Sequence, residues 1–325
     1  MMLRCRLLAT GTALPGERVT ASELDRRLGL EPGTSLRRNG VEVRYFALAE
    51  ETSSGLGAAA LRCALERARL QPEQLDAILF ASVLSEQPMP TAATLIHRTI
   101  GGRRDGVSCV DLNASCGGIF KALEWAGAMI SAGAWRHVGI VAVELGSRGL
   151  CWEDLDTATL FGDGAAAMVV GPAEGGEGIL RSKTLTVSEA SGLAAVAAGG
   201  TKWNVRRPPV TEREYFFRMD GIGMLKVARE WLPGFFEEML EGLDVRHVVP
   251  HQASAVGLAS LRKLLRKHEN ISYTNVFAEF GNQVTASVGV ALDRAICSGA
   301  VARGDEALLL GTAAGLAMHG IVLRY

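Results

Sequence analysis

The sequence predicts an α/β fold. Three observations predict it: short apolar runs alternate with amphipathic stretches along the whole chain, glycine is abundant at 38 residues, and aromatic residues are sparse at 6%. Alternating strand and helix patterns imply a largely parallel sheet covered by helices. Frequent glycine suits the close backbone approaches of such packing. The 325 residues allow about two ordinary domains, or one large duplicated one. Hydrophobic residues at 48% and charged residues at 21% describe a globular chain rather than a disordered one. Lys+Arg at 34 against Asp+Glu at 35 leaves a net charge of −1, without the basic excess of a chain whose main partner is nucleic acid.

The elements follow in order. The apolar run over residues 1–8 is short, and Gly11, Thr12 and Pro15 interrupt it, so it reads as a first strand and not as a signal peptide. Residues 54–69 form a helical pattern, with Ala and Leu on one face and Glu and Arg on another. Ala77-Ile78-Leu79-Phe80-Ala81 reads as a buried strand, followed by a loop and a helix around 91–99. A helical pattern over 117–132 precedes the strand Val138-Gly139-Ile140-Val141-Ala142-Val143 and the apolar run 165–170. Loops are expected at 170–178 and at 198–211, which holds Gly199-Gly200 and Pro208-Pro209. Then come Val248-Val249, a helix over 255–268, the strand Ala307-Leu308-Leu309-Leu310-Gly311 and the run Ile321-Val322-Leu323. The halves look related in plan, a pattern that a duplication and the ordinary repetitiveness of α/β chains explain equally well.

No segment reaches the roughly 18 apolar residues that span a bilayer. The six cysteines, at 5, 63, 109, 116, 151 and 297, include no CxxC pair, so neither a metal site nor a disulfide framework is indicated. Reduced thiols in a cytoplasmic protein are expected.

Asp111-Leu112-Asn113-Ala114-Ser115-Cys116-Gly117-Gly118 is the sharpest local feature. It places Cys116 at a strand-to-helix turn, where the positive end of the helix favours thiolate. Small neighbours admit a substrate carbonyl, and the Cys116 N–H is available to a developing oxyanion. A thiolate nucleophile needs a partner. His251, in Val248-Val249-Pro250-His251-Gln252-Ala253, directly follows a strand, where α/β folds place functional loops. His97, His137, His247 and His268 read as surface or satisfied residues, and His319 is left open. Asn282, in Gly281-Asn282-Gln283-Val284-Thr285-Ala286-Ser287, precedes a small-residue helix start; alone it reads as a turn asparagine.

Together these segments resemble the Cys-His-Asn triad of the β-ketoacyl-ACP synthase III family of the thiolase superfamily. Thr10-Gly11-Thr12-Ala13-Leu14-Pro15, Phe161-Gly162-Asp163-Gly164-Ala165 and Ala314-Gly315-Leu316 with Gly320 extend the resemblance, in the right order, over nearly the whole chain. The resemblance implies a five-layered αβαβα fold of two similar halves, over 1–172 with the cysteine and 173–325 with the histidine and asparagine, usually as a homodimer. It implies that Cys116 takes an acyl group from an acyl thioester such as acyl-CoA. Malonyl-ACP then loses CO2, and its enolate attacks to give a 3-oxoacyl thioester. His251 and Asn282 are expected to stabilise the enolate, and the N–H groups of Cys116 and the Gly315 turn the earlier oxyanion. No metal or redox cofactor is implied, nor any nucleic acid or membrane partner.

Arg38 and Met89 are further expected substrate contacts, but the family's usual adenine clamp is changed: Thr34 stands at its Trp position and Leu155 at its Arg position. Ile222 and Val256 replace an Asn and an Arg of the family's mouth. Arg148, after the strand 138–143, is suited to bidentate carboxylate binding. It is the feature that would mark a glutaryl-type donor, as in 3-oxopimeloyl-ACP synthase of biotin synthesis. Lys226, Arg262, Lys263 and Arg266 form a basic cluster where the family docks the acidic carrier protein. Two rivals remain. A papain-like hydrolase has the same residue order but lacks its Cys-Gly-[Ser/Ala]-Cys signature here. A non-condensing acyltransferase would make an ester or amide from the same acyl-cysteine.

Overall fold

A computed structural model describes residues 2–102 and 106–325; Met1 lies outside the described residues. Ten strands form two five-stranded sheets. The first holds β1 (Cys5–Ala13), β2 (Ala77–Ala81), β3 (Ser108–Leu112), β4 (Val138–Glu144) and β5 (Gly164–Pro172). The second holds β6 (Gly178–Thr186), β7 (Val245–Pro250), β8 (Ser272–Tyr273), β9 (Glu306–Ala313) and β10 (Ala317–Arg324).

The sheets repeat one plan. The first runs β1-β5-β4-β2-β3 and the second β6-β10-β9-β7-β8, which is the same permutation. Strand directions repeat too: β4, β2 and β3 are parallel, β5 and β1 antiparallel to their neighbours, and β7, β8, β9, β10 and β6 do the same. The intervening helices also match: α1 (Ser53–Ala68), α2 (Ala92–Thr99) and α3 (Gly118–Ser131) in the first half, α4 (Gly221–Leu240), α5 (Ala255–Leu265) and α6 (Ser287–Cys297) in the second. Both sheets are mixed, which corrects the expectation of a largely parallel one.

Side-chain alternation builds the layers. In β4, Ile140 and Ala142 face α3 and α6, whereas Val141 and Val143 face α1 and α2. In β9, Ala307 and Leu309 face the same central helices from the other side, and Leu308 and Leu310 face α4 and α5. A period of two on strands buried on both faces yields helix, sheet, helix pair, sheet, helix: five layers. Each fully buried Leu, Ile or Val contributes about 1.5–3 kcal/mol, so the central layer, closed by both sheets, locks the halves together. Side-chain oxygens cap α1, α2, α4 and α5: Thr52, Thr91, Asp220 and Ser254 each accept an N–H of the first turn. The central helices α3 and α6 have no such cap; their N-termini face the functional site. Among the described residues no helix is long and apolar enough to cross a membrane.

Candidate active site

Cys116 occupies a tight turn between β3 and α3. Ser115 has φ +50°, a left-handed conformation uncommon for a residue with a side chain. The turn is closed by the Gly118 N–H on Ser115 O, at 3.1 Å. Gly117 is required here because the buried His319 ring fills the place a Cβ would take; that ring stacks on Phe120. His319, left open by the sequence, is thus a packing wedge behind the turn.

His251 sits where β7 ends, anchored by its N–H on Leu310 O at 2.7 Å. Its Nδ1 lies 2.7 Å from Ser287 Oγ, at the start of α6. That hydroxyl also has Val284 O as an acceptor at 3.2 Å; when its proton goes to Nδ1 instead, the ring carries its own proton on Nε2. Burial pushes the imidazole pKa down to about 4, so the ring is neutral near pH 7.

Asn282 is held by main chain on both sides: its N–H donates to Leu160 O at 3.0 Å, and its C=O accepts from Gly162 N at 3.1 Å. This explains the Phe161-Gly162-Asp163-Gly164 segment. A Cβ on Gly162 would collide with the Phe280 carbonyl, and buried Asp163 ties the segment to Ser147 and Ala47. Gly281, at φ +68°, makes the turn that presents Asn282. The Asn282 side chain accepts from Val284 N at 2.8 Å and donates one Nδ2 hydrogen to Ala253 O at 3.1 Å, leaving the second Nδ2 hydrogen for a ligand.

Cys116, His251 and Asn282 line one cavity of ≈180 Å³, with apolar walls from Leu84, Phe161, Phe217 and Met219. Three remote stretches of chain therefore meet where both central helices begin. Across the cavity the Ala314 N–H acts on the Cys116 sulfur, so in the turn expected at Gly315 the residue next to the nucleophile is Ala314. Gly315, at φ +85°, supplies the turn geometry.

The thiol differs from the expectation. Burial pushes the Cys116 pKa up to about 11, and nearby Glu144 pushes in the same direction; the N–H groups of Ala314 and Cys116 act oppositely but more weakly. Desolvation outweighs the helix end, so the resting state is a thiol.

Other expected contacts fall elsewhere. Arg148 does not line the cavity. Its Nη2 donates to the carbonyls of Leu48 and Glu51, at 2.9 and 2.7 Å, and so ties down a surface loop. The sequence signal for carboxylate binding is corrected to a structural clamp, because both acceptors come from main chain that approaches only in the fold. Arg38 is exposed and paired with Asp156, Nε to Oδ1 2.7 Å. Met89 is 81% exposed and does not line the cavity. Lys226, Arg262, Lys263 and Arg266 are all exposed, on α4, on α5 and just beyond α5, and Lys263 borders an apolar cleft between these helices that also reaches His251. Ile222 and Val256 are exposed at 72% and 56%. The sequence reading missed Glu144, a fully buried carboxyl in the cavity wall, because at the end of β4 it looks like an ordinary strand terminus. Among the described residues no group of three or more His, Cys, Asp or Glu is placed to hold a metal ion.

Comparison with known proteins agrees with this architecture. Residues 110–187, which include Cys116, match the model of the family described as 3-oxoacyl-[acyl-carrier-protein (ACP)] synthase III. Residues 237–325, which include His251 and Asn282, match its C-terminal model. The chain is 30% identical over 324 residues to the beta-ketoacyl-[acyl-carrier-protein] synthase III of Caldanaerobacter subterraneus subsp. tengcongensis, covering 98% of this chain and 97% of that one. It is 32% identical over 331 residues to the acetoacetyl CoA synthase NphT7 of Streptomyces sp. strain CL190, covering 99% of each. The crystal structure of 3-oxoacyl-[acyl-carrier-protein] synthase III from Aquifex aeolicus superposes with a TM-score of 0.85 at 29% identity, over 99% of this chain and 100% of that one. With relatives of this identity matched end to end, and with the doubled five-layer architecture in common, the chain belongs to the 3-oxoacyl-[acyl-carrier-protein] synthase III family.

Proposed function

We propose that this acyl-transferring condensing enzyme works through Cys116 on the first half (1–172) and His251 and Asn282 on the second (173–325). The reading rests on one observation: a thiol, a neutral imidazole and a carboxamide with a free N–H line the same apolar cavity. Cys116, as thiolate, bonds to the acyl carbon of a thioester while the N–H groups of Cys116 and Ala314 receive the oxyanion. The donor C–S bond breaks, and the departing thiolate takes the proton the cysteine lost. A malonyl thioester then releases CO2. The electron pair of the broken C–C bond becomes an enolate, whose oxygen accepts from His251 Nε2–H and Asn282 Nδ2–H. The enolate carbon bonds to the acyl carbon, and Cys116 leaves as thiolate. Cys116 takes one proton from solvent to return to the resting thiol; otherwise the steps use groups of the chain and the two thioesters.

The apolar walls suit a neutral acyl group. A glutaryl-type donor has no arginine in the cavity to meet its second carboxylate, since Arg148 is engaged elsewhere. Thr34 and Leu155, at the positions of the family's clamp, offer no adenine stack, and Asp156 engages Arg38. A malonyl group carried on an acidic acyl carrier protein, docked against Lys226, Arg262, Lys263 and Arg266, fits this surface. A homodimer, the assembly the family resemblance implies, is the expected one here. Incubation with a neutral acyl thioester and malonyl-ACP is expected to release one CO2 for each 3-oxoacyl thioester formed. Ester or amide formation without CO2 release would replace this reading by the non-condensing one.

A further inference from the structure

Glu144 closes β4 with both carboxyl oxygens engaged by the fold. Oε1 takes Leu84 N at 3.0 Å and lies 3.3 Å from Ser82 Oγ, whose hydroxyl has a nearer acceptor in Leu84 O at 2.9 Å; Oε2 takes Val83 N at 3.0 Å and Thr285 Oγ1 at 3.2 Å. Thr285 Oγ1 lies 3.3 Å from a second acceptor, Ser115 O. The threonine has one hydroxyl proton and cannot donate to both. If Glu144 is ionised, the proton goes to the carboxylate. If Glu144 carries a proton on Oε2, the oxygen facing Thr285, it donates to Thr285, and Thr285 is free to donate to Ser115. That carbonyl is the other end of the rigid peptide plane that carries the Cys116 N–H, in the turn strained at Ser115. Fixing and polarising the oxygen end aims and strengthens the N–H end.

We propose that Glu144, in its protonated form, is a positioning residue that acts through Thr285 on the Ser115–Cys116 peptide and thereby aims the oxyanion-binding N–H for acylation. This rests on the role assigned above to Cys116. Burial supports it: against its four donors, desolvation still pushes the Glu144 pKa up to about 7, so the acid form is populated at neutral pH. The titratable groups facing it are Cys116 and, across the cavity, His251. The 82–84 segment and Thr285 bring hydroxyls and N–H groups without charge, and Asp163, just before the adjoining strand β5, turns its carboxylate to Ser147 and Ala47.

The test is the rate of acylation of Cys116 by a neutral acyl-CoA, read by mass spectrometry from pH 6 to pH 8.5. In the native protein log rate is expected to rise with pH, as thiolate forms, and to level near pH 7 as Glu144 loses its proton. Thr285→Val should be about tenfold slower at pH 6 and converge on the native rate above pH 7, with a weaker break that reports only the charge of Glu144 on the thiol; Thr285→Ser should restore the native profile. Glu144→Gln, which removes the titrating group, should lack the break. A Thr285→Val profile superimposed on the native one would remove the relay and leave the nucleophile assignment standing. No acylation of Cys116 at any pH would remove both.

Discussion

In His251→Ala and Asn282→Ala, Cys116 is still expected to acquire its acyl group, while release of CO2 from a malonyl thioester falls by about 10²–10³ for each lost donor. The separation follows from where the donors sit. In the proposed mechanism the acylation oxyanion is met by the N–H groups of Cys116 and Ala314, whereas Nε2–H of His251 and Nδ2–H of Asn282 are the side-chain donors assigned to an enolate oxygen. Both are preorganised: Ser287 Oγ holds the ring at Nδ1, and Ala253 O and Val284 N fix the amide plane. Because burial holds the imidazole neutral down to about pH 4, its donor does not titrate between pH 5 and pH 8. Acyl-enzyme mass and CO2 release, measured on the same preparations, check the split. Parallel loss of both half-reactions would contradict it.

Gly162→Ala is expected to be the most costly single methyl group near the site. The new Cβ meets the Phe280 carbonyl inside van der Waals contact, and backbone on both sides cannot yield as a side-chain tip can. The bridge between Phe161 and Asn282 must open, at about 3 kcal/mol or more. Stability and chemistry should therefore fall together: a lower urea midpoint, and CO2 release reduced as in Asn282→Ala. Gly192→Ala serves as the comparison, since nothing lies within 4 Å of its added methyl; it should be close to neutral in both measurements.

These two sites also show what the sequence discloses. The strands were legible because burial on both faces leaves continuous apolar runs, as in Val138–Glu144. Cys116, His251 and Asn282 stood out by their neighbours: glycines and small residues beside the first, a strand end and proline before the second, a glycine before the third. What stayed hidden depends on contacts across the chain. Arg148 looked free because its carbonyl acceptors lie about a hundred residues away, at Leu48 and Glu51. The thiol looked activated because the helix end is local, whereas the desolvation that outweighs it is tertiary. Glu144 and Thr285, 141 positions apart, gave no joint signal at all. The repeated sheet order emerged only when strand neighbours were known, since both halves skip positions in the same way.

The central claim is that Cys116 is the residue that carries the acyl group. The most direct measurement is peptide mass mapping after exposure to a panel of neutral acyl thioesters, with Cys116→Ala alongside. The account predicts one acyl increment on the peptide containing Cys116 in the native protein and none in the variant. An acyl group on any of the other five cysteines, or an unchanged increment in Cys116→Ala, would contradict it.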